Sequence, residues 1–230
     1  MSNTYMPISI SLKNRKCLII GGGQVSLRKI DTLLEYDSEI TVISPEVVDK
    51  IEYYAKKGLI KLEKRKYASS DVESFGLVIS ACDDEKVNEQ VYHDCQERNI
   101  PVNVADNPPL CDFIFPAVVR RECLTVAVSS DGKAPFLSGH LRFVLENIFP
   151  PHWNKLAQMA VQYRIDVIKE WAGKPEQKRL AFERFLDVDW KTLLDQKQPE
   201  VVENELKRIL VAAPPPDDAP EKNDDKEIYE

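Results

Sequence analysis

The chain has 230 residues, 43% of them hydrophobic and 30% charged, with a formal net charge of −7. That is enough apolar material for a core, in one large domain or two small ones. The acidic balance argues against general nucleic-acid binding, which needs a basic surface, and no apolar run approaches the about 20 residues of a membrane span.

Met6 to Leu12 alternates apolar and polar side chains, which predicts a half-buried strand. Lys16 to Ile20 reads as a buried parallel strand. Gly21-Gly22-Gly23 follows, and then Val25, Leu27, Ile30, Leu33 and Leu34 recur at helical spacing. Ile40 to Ile43 predicts a second buried strand, stopped by Ser44-Pro45. Val47 to Lys57 predicts a helix ending at Gly58, and Ile60 to Leu62 a third strand. Leu77 to Ala81 is a fourth. Asp83-Asp84 offers an N-terminal cap to a helix whose inner face is Val87, Val91, Tyr92 and Cys95. Val102 to Val104 is a fifth strand. Strands alternating with helices in this way predict an α/β fold, a Rossmann-type parallel sheet covered on both faces.

The pattern changes after Asn107-Pro108-Pro109. Phe113 to Val119 and Leu124 to Val128 predict a hairpin joined by Arg120-Arg121-Glu122. Ser129 to Lys133 is a loop, and Pro135 opens a helix to about Ile148. Pro150-Pro151 ends it. Residues 152 to 211 read as helical, with turns at Gly173-Pro175 and at Pro199. There Trp153, Leu156, Met159, Ala160, Tyr163, Val167 and Trp171 mark a packing face. Residues 213–230 hold four prolines, many acids and almost no apolar content, so disorder is expected. The five cysteines include no C-x-x-C pair, which predicts buried free thiols and no metal site. The first twenty residues lack a basic start and an apolar h-region, which predicts a cytoplasmic protein with no membrane association.

Gly21-Gly22-Gly23-Gln24-Val25-Ser26 fits G-x-G-x-x-[G/A] with Ser26 in the third slot, between a buried strand and an amphipathic helix. That context predicts a dinucleotide site, with the pyrophosphate on the helix N-terminus. Gln24 and Val25 at the helix start, Ser44 and Pro45 at the end of the second strand, and Asp83 after the fourth complete the candidate cofactor contacts. The second strand ends in Ser44-Pro45, with no acid there to hold the ribose hydroxyls, so NAD and NADP stay undecided by these residues.

Four segments resemble a known family. Gly21-Gly22-Gly23-Gln24-Val25-Ser26-Leu27-Arg28-Lys29 is similar to its GGGxVAxRK opening, and Asn103-Val104-Ala105-Asp106-Asn107-Pro108 to NVxDxP. Phe113-Ile114-Phe115-Pro116-Ala117 resembles FIxPA, and the stretch Val126 to Pro135 resembles VAVSSxGxSP. The family is precorrin-2 dehydrogenase, also the N-terminal module of siroheme synthase and related to bifunctional dehydrogenase–ferrochelatases. The resemblance covers roughly residues 5 to 150. It implies NAD-dependent oxidation of precorrin-2 to sirohydrochlorin by a homodimer, with insertion of Fe²⁺ in many relatives. It further implies an NAD-binding Rossmann domain over 1–112, a dimerisation region over 113–149 and a helical domain over 150–212, before the tail at 213–230. A non-catalytic NAD-binding regulatory module is the alternative from another class.

Asp106, just past the fifth strand, maps onto the family's catalytic aspartate. From the residues alone it reads first as an Asx-turn aspartate before Pro108, and the catalytic role is what the resemblance implies. Ser130 maps onto a serine associated with chelation, although Asp131 and Ala134 depart from the family pattern around it. A substrate rich in carboxylates needs cations, and Arg120, Lys133, His140 and Arg142 are the candidates, each also readable as solvated surface.

Overall fold

The computed structural model describes residues 5–195 and 199–212. Five strands form one parallel sheet: β1 (Lys16–Ile20), β2 (Glu39–Ile43), β3 (Lys61–Glu63), β4 (Leu77–Ser80) and β5 (Val102–Val104). Their order is β3-β2-β1-β4-β5, so the chain steps outward from β1 and then crosses back over it. The switch point lies between β1 and β4, and in such sheets ligands bind at the carboxyl ends of the strands there.

The strands are apolar on both sides because both faces are covered. Along β1, Cys17 and Ile19 point into one core with Leu27, Ile30 and Leu33 of α1 (Gln24–Leu34) and Ile51 of α2 (Asp49–Lys56). Leu18 and Ile20 point into the other, with Val91 and Cys95 of α3 (Glu85–Glu97). Ile19, Ile30 and Ile79 are fully buried. Truncating any one of them to Ala costs about 2–5 kcal/mol. Asp84 caps α3 by accepting the Lys86 N–H at 3.0 Å, as the sequence predicts.

Residues 6–12 do not form the expected strand, and Met6, Ile8 and Ile10 are exposed. Alternation states which side chains share a face, but pairing also needs an open sheet edge. The outer edge of β5 is already taken: Asn103 bridges Cys111 antiparallel, and the Asp112 N–H bonds the Val102 carbonyl at 2.8 Å.

Spatially the chain clusters into two units. The first holds the residues up to Pro116 together with Ser129–Ser138; the second holds Ala117–Val128 together with the residues from Gly139 onward. In the second, β6 (Ala117–Arg121) and β7 (Leu124–Val128) form the hairpin. The second strand is the expected one, whereas the first is shifted: Phe113–Pro116 is not strand, β6 instead runs on to Arg121, which pairs with Leu124, and the turn is Glu122-Cys123, with Glu122 at φ 51°. Arg120 and Arg121 alternate along β6 and are strand residues, not loop. α4 (Pro135–Ile148) begins in the first unit and continues in the second. Then come α5 (Trp153–Glu170), α6 (Pro175–Asp187), α7 (Trp190–Asp195) and α8 (Pro199–Val211). The break before α7, at Val188-Asp189, has no Gly or Pro to announce it.

The helical core joins Tyr163, Val167, Ala181, Phe185, Trp190, Val202 and Ile209. Its aromatic polar atoms are satisfied by backbone: Tyr163 Oη donates to the Ala181 carbonyl at 3.0 Å, and Trp190 Nε1 to the Phe185 carbonyl at 2.6 Å. All five cysteines are free thiols; Cys17, Cys95 and Cys111 are buried, whereas Cys123 in the hairpin turn is exposed. The expected disordered tail, residues 213–230, lies outside the described residues. Among the described residues no helix is long and apolar enough to cross a membrane.

Candidate active site

The glycine turn is packed on two sides and open on the third. Gly21 has φ 114°, and a β-carbon there would lie 2.2 Å from the Ala81 carbonyl oxygen at the end of β4. At Gly22 a β-carbon would lie 2.0 Å from the Glu46 carbonyl oxygen. The Val48 N–H bonds the Gly22 carbonyl at 2.9 Å, so the turn after β2 is locked to the glycines. A β-carbon on Gly23 would meet nothing within 4 Å. Ser26 is fully buried, with Oγ donating to the Ala81 carbonyl at 3.3 Å, which brings α1 tight against β4.

The start of α1 carries no side-chain cap and no acid in its first turn. By contrast α2 has Asp49 and Glu52 there, and α3 has Asp84 and Glu85. The unneutralised N–H groups and positive helix end beside Gly23 therefore fit an external anion such as a pyrophosphate. Gln24 and Val25 open this helix, Gln24 exposed and Val25 half-buried.

Ser44 is buried, and its Oγ donates to the Glu46 carbonyl at 2.6 Å. Its hydroxyl holds the turn together. The side chain that this turn presents to solvent is Glu46, exposed beside Pro45. Glu46 lies three residues beyond the end of β2 at Ile43, past the strand end where a ribose-binding acid is expected from sequence. Asp83 is exposed after β4. Beneath it Asn88 ties the strand end to α3: it accepts from Ser80 Oγ at 2.7 Å and donates to the Cys82 carbonyl at 2.9 Å.

Asp106 is exposed and left-handed, at φ 59°. The ladder runs one residue past β5, with the Ala105 N–H on the Ser80 carbonyl at 2.8 Å, so Asp106 is the first residue clear of the sheet. The buried Cys111 thiol bonds the carbonyls of Val104 and Asn107, at 3.2 and 3.3 Å. Asn103 Nδ2 donates to the Phe113 carbonyl at 2.9 Å. These contacts fix the Asp106 loop from below and leave its carboxylate in solvent.

Ser130 stands in the same unit. Its Oγ accepts the Ala134 N–H at 3.1 Å at the start of α4, which leaves the hydroxyl proton available for donation. A β-carbon on Gly132 would lie 3.5 Å from Pro108, so the Ser129–Lys133 loop packs against the Asp106–Pro108 loop. Lys133 is exposed on that loop. Arg120, His140 and Arg142 belong to the second unit. There Arg142 pairs with Glu146 at 2.7 Å, and His140 is exposed. Among the described residues no cluster of three or more His, Cys, Asp or Glu is placed to hold a metal.

One ionisable side chain near Asp106 was not singled out from the sequence. Lys29 of α1 is half-buried, with Nζ 3.9 Å above the centre of the Phe115 ring. Burial pushes its pKa down and Arg28 adds to this, while the charges of Asp106 and Cys111 act the other way.

The sequence profile of an NAD(P)-binding family matches residues 8–117, the span that holds this turn and Asp106. Siroheme synthases of Nitrosococcus oceani and Methylococcus capsulatus are 35% and 37% identical to the chain over 206 and 209 residues. The chain is similar to these siroheme synthases over nine tenths of its own length. These alignments cover 90% and 91% of the chain but 44% of each relative, so the chain spans less than half the length of the proteins it matches. The siroheme synthase of Psychrobacter arcticus is 42% identical over 165 residues, 72% of the chain and 30% of that protein. Among solved structures, one titled "SirC, precorrin-2 dehydrogenase" superposes with a TM-score of 0.69 at 24% identity. It covers 88% of the chain and all of that protein, and it shows a shared fold. The α/β Rossmann-type sheet followed by a helical region is thus a fold the two chains share.

Proposed function

We propose that the chain oxidises precorrin-2 to sirohydrochlorin with NAD as hydride acceptor, a step of siroheme synthesis. The observation that carries this is one juxtaposition. An uncapped glycine turn and an exposed, loop-fixed aspartate stand at the carboxyl edge of one sheet, in a chain similar to siroheme synthases. Gly21, Gly22 and Gly23, with the backbone of Gln24 and Val25, would hold the pyrophosphate. Ser44 and Pro45 shape the turn that carries Glu46 toward the adenosine ribose, and Asp83 lines the other side of the crevice. When bound, the dinucleotide supplies a two-electron acceptor for hydride. Asp106 takes the proton lost from the substrate as the hydride leaves, so one C–H pair is removed as hydride plus proton. Lys133, Arg120, His140 and Arg142 are the proposed substrate cations. The test is precorrin-2-dependent reduction of NAD by the purified protein.

Chelation is a second reading, favoured by the packing of the Ser130 loop against the Asp106 loop. Here Fe²⁺ is a substrate, Asp106 accepts pyrrole protons and Ser130 orients the macrocycle. Metallation of sirohydrochlorin no faster than the uncatalysed rate leaves a dehydrogenase alone.

A homodimer through residues 113–149 belongs to the same proposal. α4 exposes Phe136, Phe143 and Ile148, at 80%, 63% and 57%. Three large apolar side chains at that exposure on one helix are a surface that a second copy would cover.

A further inference from the structure

Lys29 has no role in the reading above, and its surroundings do not explain its charge. A lysine on a surface helix ordinarily extends its ammonium into water or pairs with a carboxylate. Lys29 does neither. Its ammonium is half-buried over the Phe115 ring, and among the described residues no carboxylate lies within ion-pair distance of it. Elsewhere in this unit partly exposed cations do find acids: Lys50 pairs with Asp31 at 3.0 Å, Lys61 with Glu63 at 2.6 Å, and Arg65 with Asp71 at 2.6 Å. A partly desolvated cation without its own anion is costly, and an incoming anion relieves that cost.

The position selects the anion. Lys29 lies six residues beyond the helix start at Gly23, about 9 Å along the axis, so it stands well past the first turn where a pyrophosphate sits. The ring beneath it belongs to the segment that follows the Asp106 loop, and the charge of Asp106 acts on the ammonium. Asp106 is itself exposed and carries no ion pair among the described residues, so it does not neutralise Lys29.

We infer that Lys29 is a substrate-binding residue: its ammonium, seated on Phe115 and facing the Asp106 loop, takes one carboxylate of a polycarboxylate substrate. Phe115 holds the cation by its π-face and keeps it from folding back onto the sheet. Binding there fixes the substrate edge next to Asp106, which distinguishes Lys29 from the exposed cations proposed above. Those are exposed, and Arg142 is already paired with Glu146.

This inference rests on the tetrapyrrole reading, and its test separates the two. Sirohydrochlorin is titrated into the full-length protein with NAD present, comparing wild type, Lys29→Met and Lys29→Arg. Loss of one charge-assisted contact predicts about tenfold or greater weakening in Lys29→Met. Lys29→Arg keeps most of the affinity. The melting temperature and the NAD dissociation constant stay at wild-type values in both, which a merely structural lysine would not satisfy together with the ligand loss. In turnover, KM for precorrin-2 rises more than kcat falls. Tight binding by wild type and equally tight binding by Lys29→Met overturns the assignment of Lys29 alone. No binding by wild type overturns the tetrapyrrole reading, and Lys29 with it.

Discussion

Gly22 stands directly against Glu46: a β-carbon at Gly22 would come within 2.0 Å of the Glu46 carbonyl oxygen and 2.6 Å of Val47 Cγ1. The nearest atom is backbone, and Val47 Cα lies at 2.8 Å, so rotating the Val47 side chain would not relieve the clash. Gly22→Ala is expected to lose about 1–3 kcal/mol of stability as the turn is forced apart. Gly23→Ala meets nothing within the protein and has an ordinary extended backbone, so its melting temperature stays near wild type. It does fill the space over the helix start, and NAD affinity should fall by about tenfold or more. Thermal melts with and without NAD separate the pair. A Gly22→Ala protein that melts like wild type would contradict the packing described.

Glu46 carries the second prediction. It occupies the turn after β2, with Ser44 spent on the Glu46 carbonyl. A carboxylate there accepts from ribose hydroxyls and repels a 2′-phosphate. Glu46→Arg should reverse the preference from NAD toward NADP by at least about tenfold, read as the ratio of their dissociation constants. An unchanged ratio removes Glu46 from cofactor selection.

The sheet and the glycine turn were legible because their signals are local. Lys16–Ile20, three glycines and a 3.6-residue apolar repeat state strand, turn and helix within one stretch. What escaped depends on residues distant in the chain. Whether Met6–Leu12 pairs depends on an edge that Cys111 and Asp112 already fill. Ser44 reads as a ribose ligand until Glu46 turns its carbonyl onto it. Lys29 looks like any helix-surface lysine, and only the Phe115 ring beneath its ammonium, brought from 86 residues away, marks it out. The break at Val188-Asp189 follows from Trp190 turning into the helical core, where its indole bonds the Phe185 carbonyl.

Acid sensitivity should centre in part on Asp71. Arg65 grips both of its oxygens, at 2.6 and 2.8 Å, and the Ala68 N–H adds a bond at 2.8 Å. The guanidinium holds this carboxyl below the usual carboxylate range. A depressed acid stabilises the fold above its unfolded pKa, about 3.9, and that contribution disappears as pH falls through the lower folded value. Asp71→Asn should therefore melt below wild type at neutral pH. The difference, about 1 kcal/mol or less for so exposed an arginine, should close as pH falls through the depressed folded value. A gap independent of pH would assign the loss to packing.

The exposed face of α4 predicts self-association. Phe143→Glu places a charge on the apolar surface proposed for the second copy. Sedimentation should show a dimer for wild type and a shift of about tenfold or more toward monomer for the variant, with helix content unchanged. A wild-type protein that sediments as a monomer at all concentrations contradicts the dimer.

The central claim, that Asp106 works beside a dinucleotide on one sheet edge, is tested most directly by Asp106→Asn. Asparagine tolerates the left-handed backbone at φ 59°, so the loop survives while the proton acceptor is lost. The measurement is precorrin-2-dependent reduction of NAD, alongside the NAD dissociation constant, for wild type and variant. The account predicts turnover by wild type, a loss of about a hundredfold or more in kcat for Asp106→Asn, and equal NAD affinity. Full turnover by Asp106→Asn, or none by a wild-type protein that binds NAD, would contradict it.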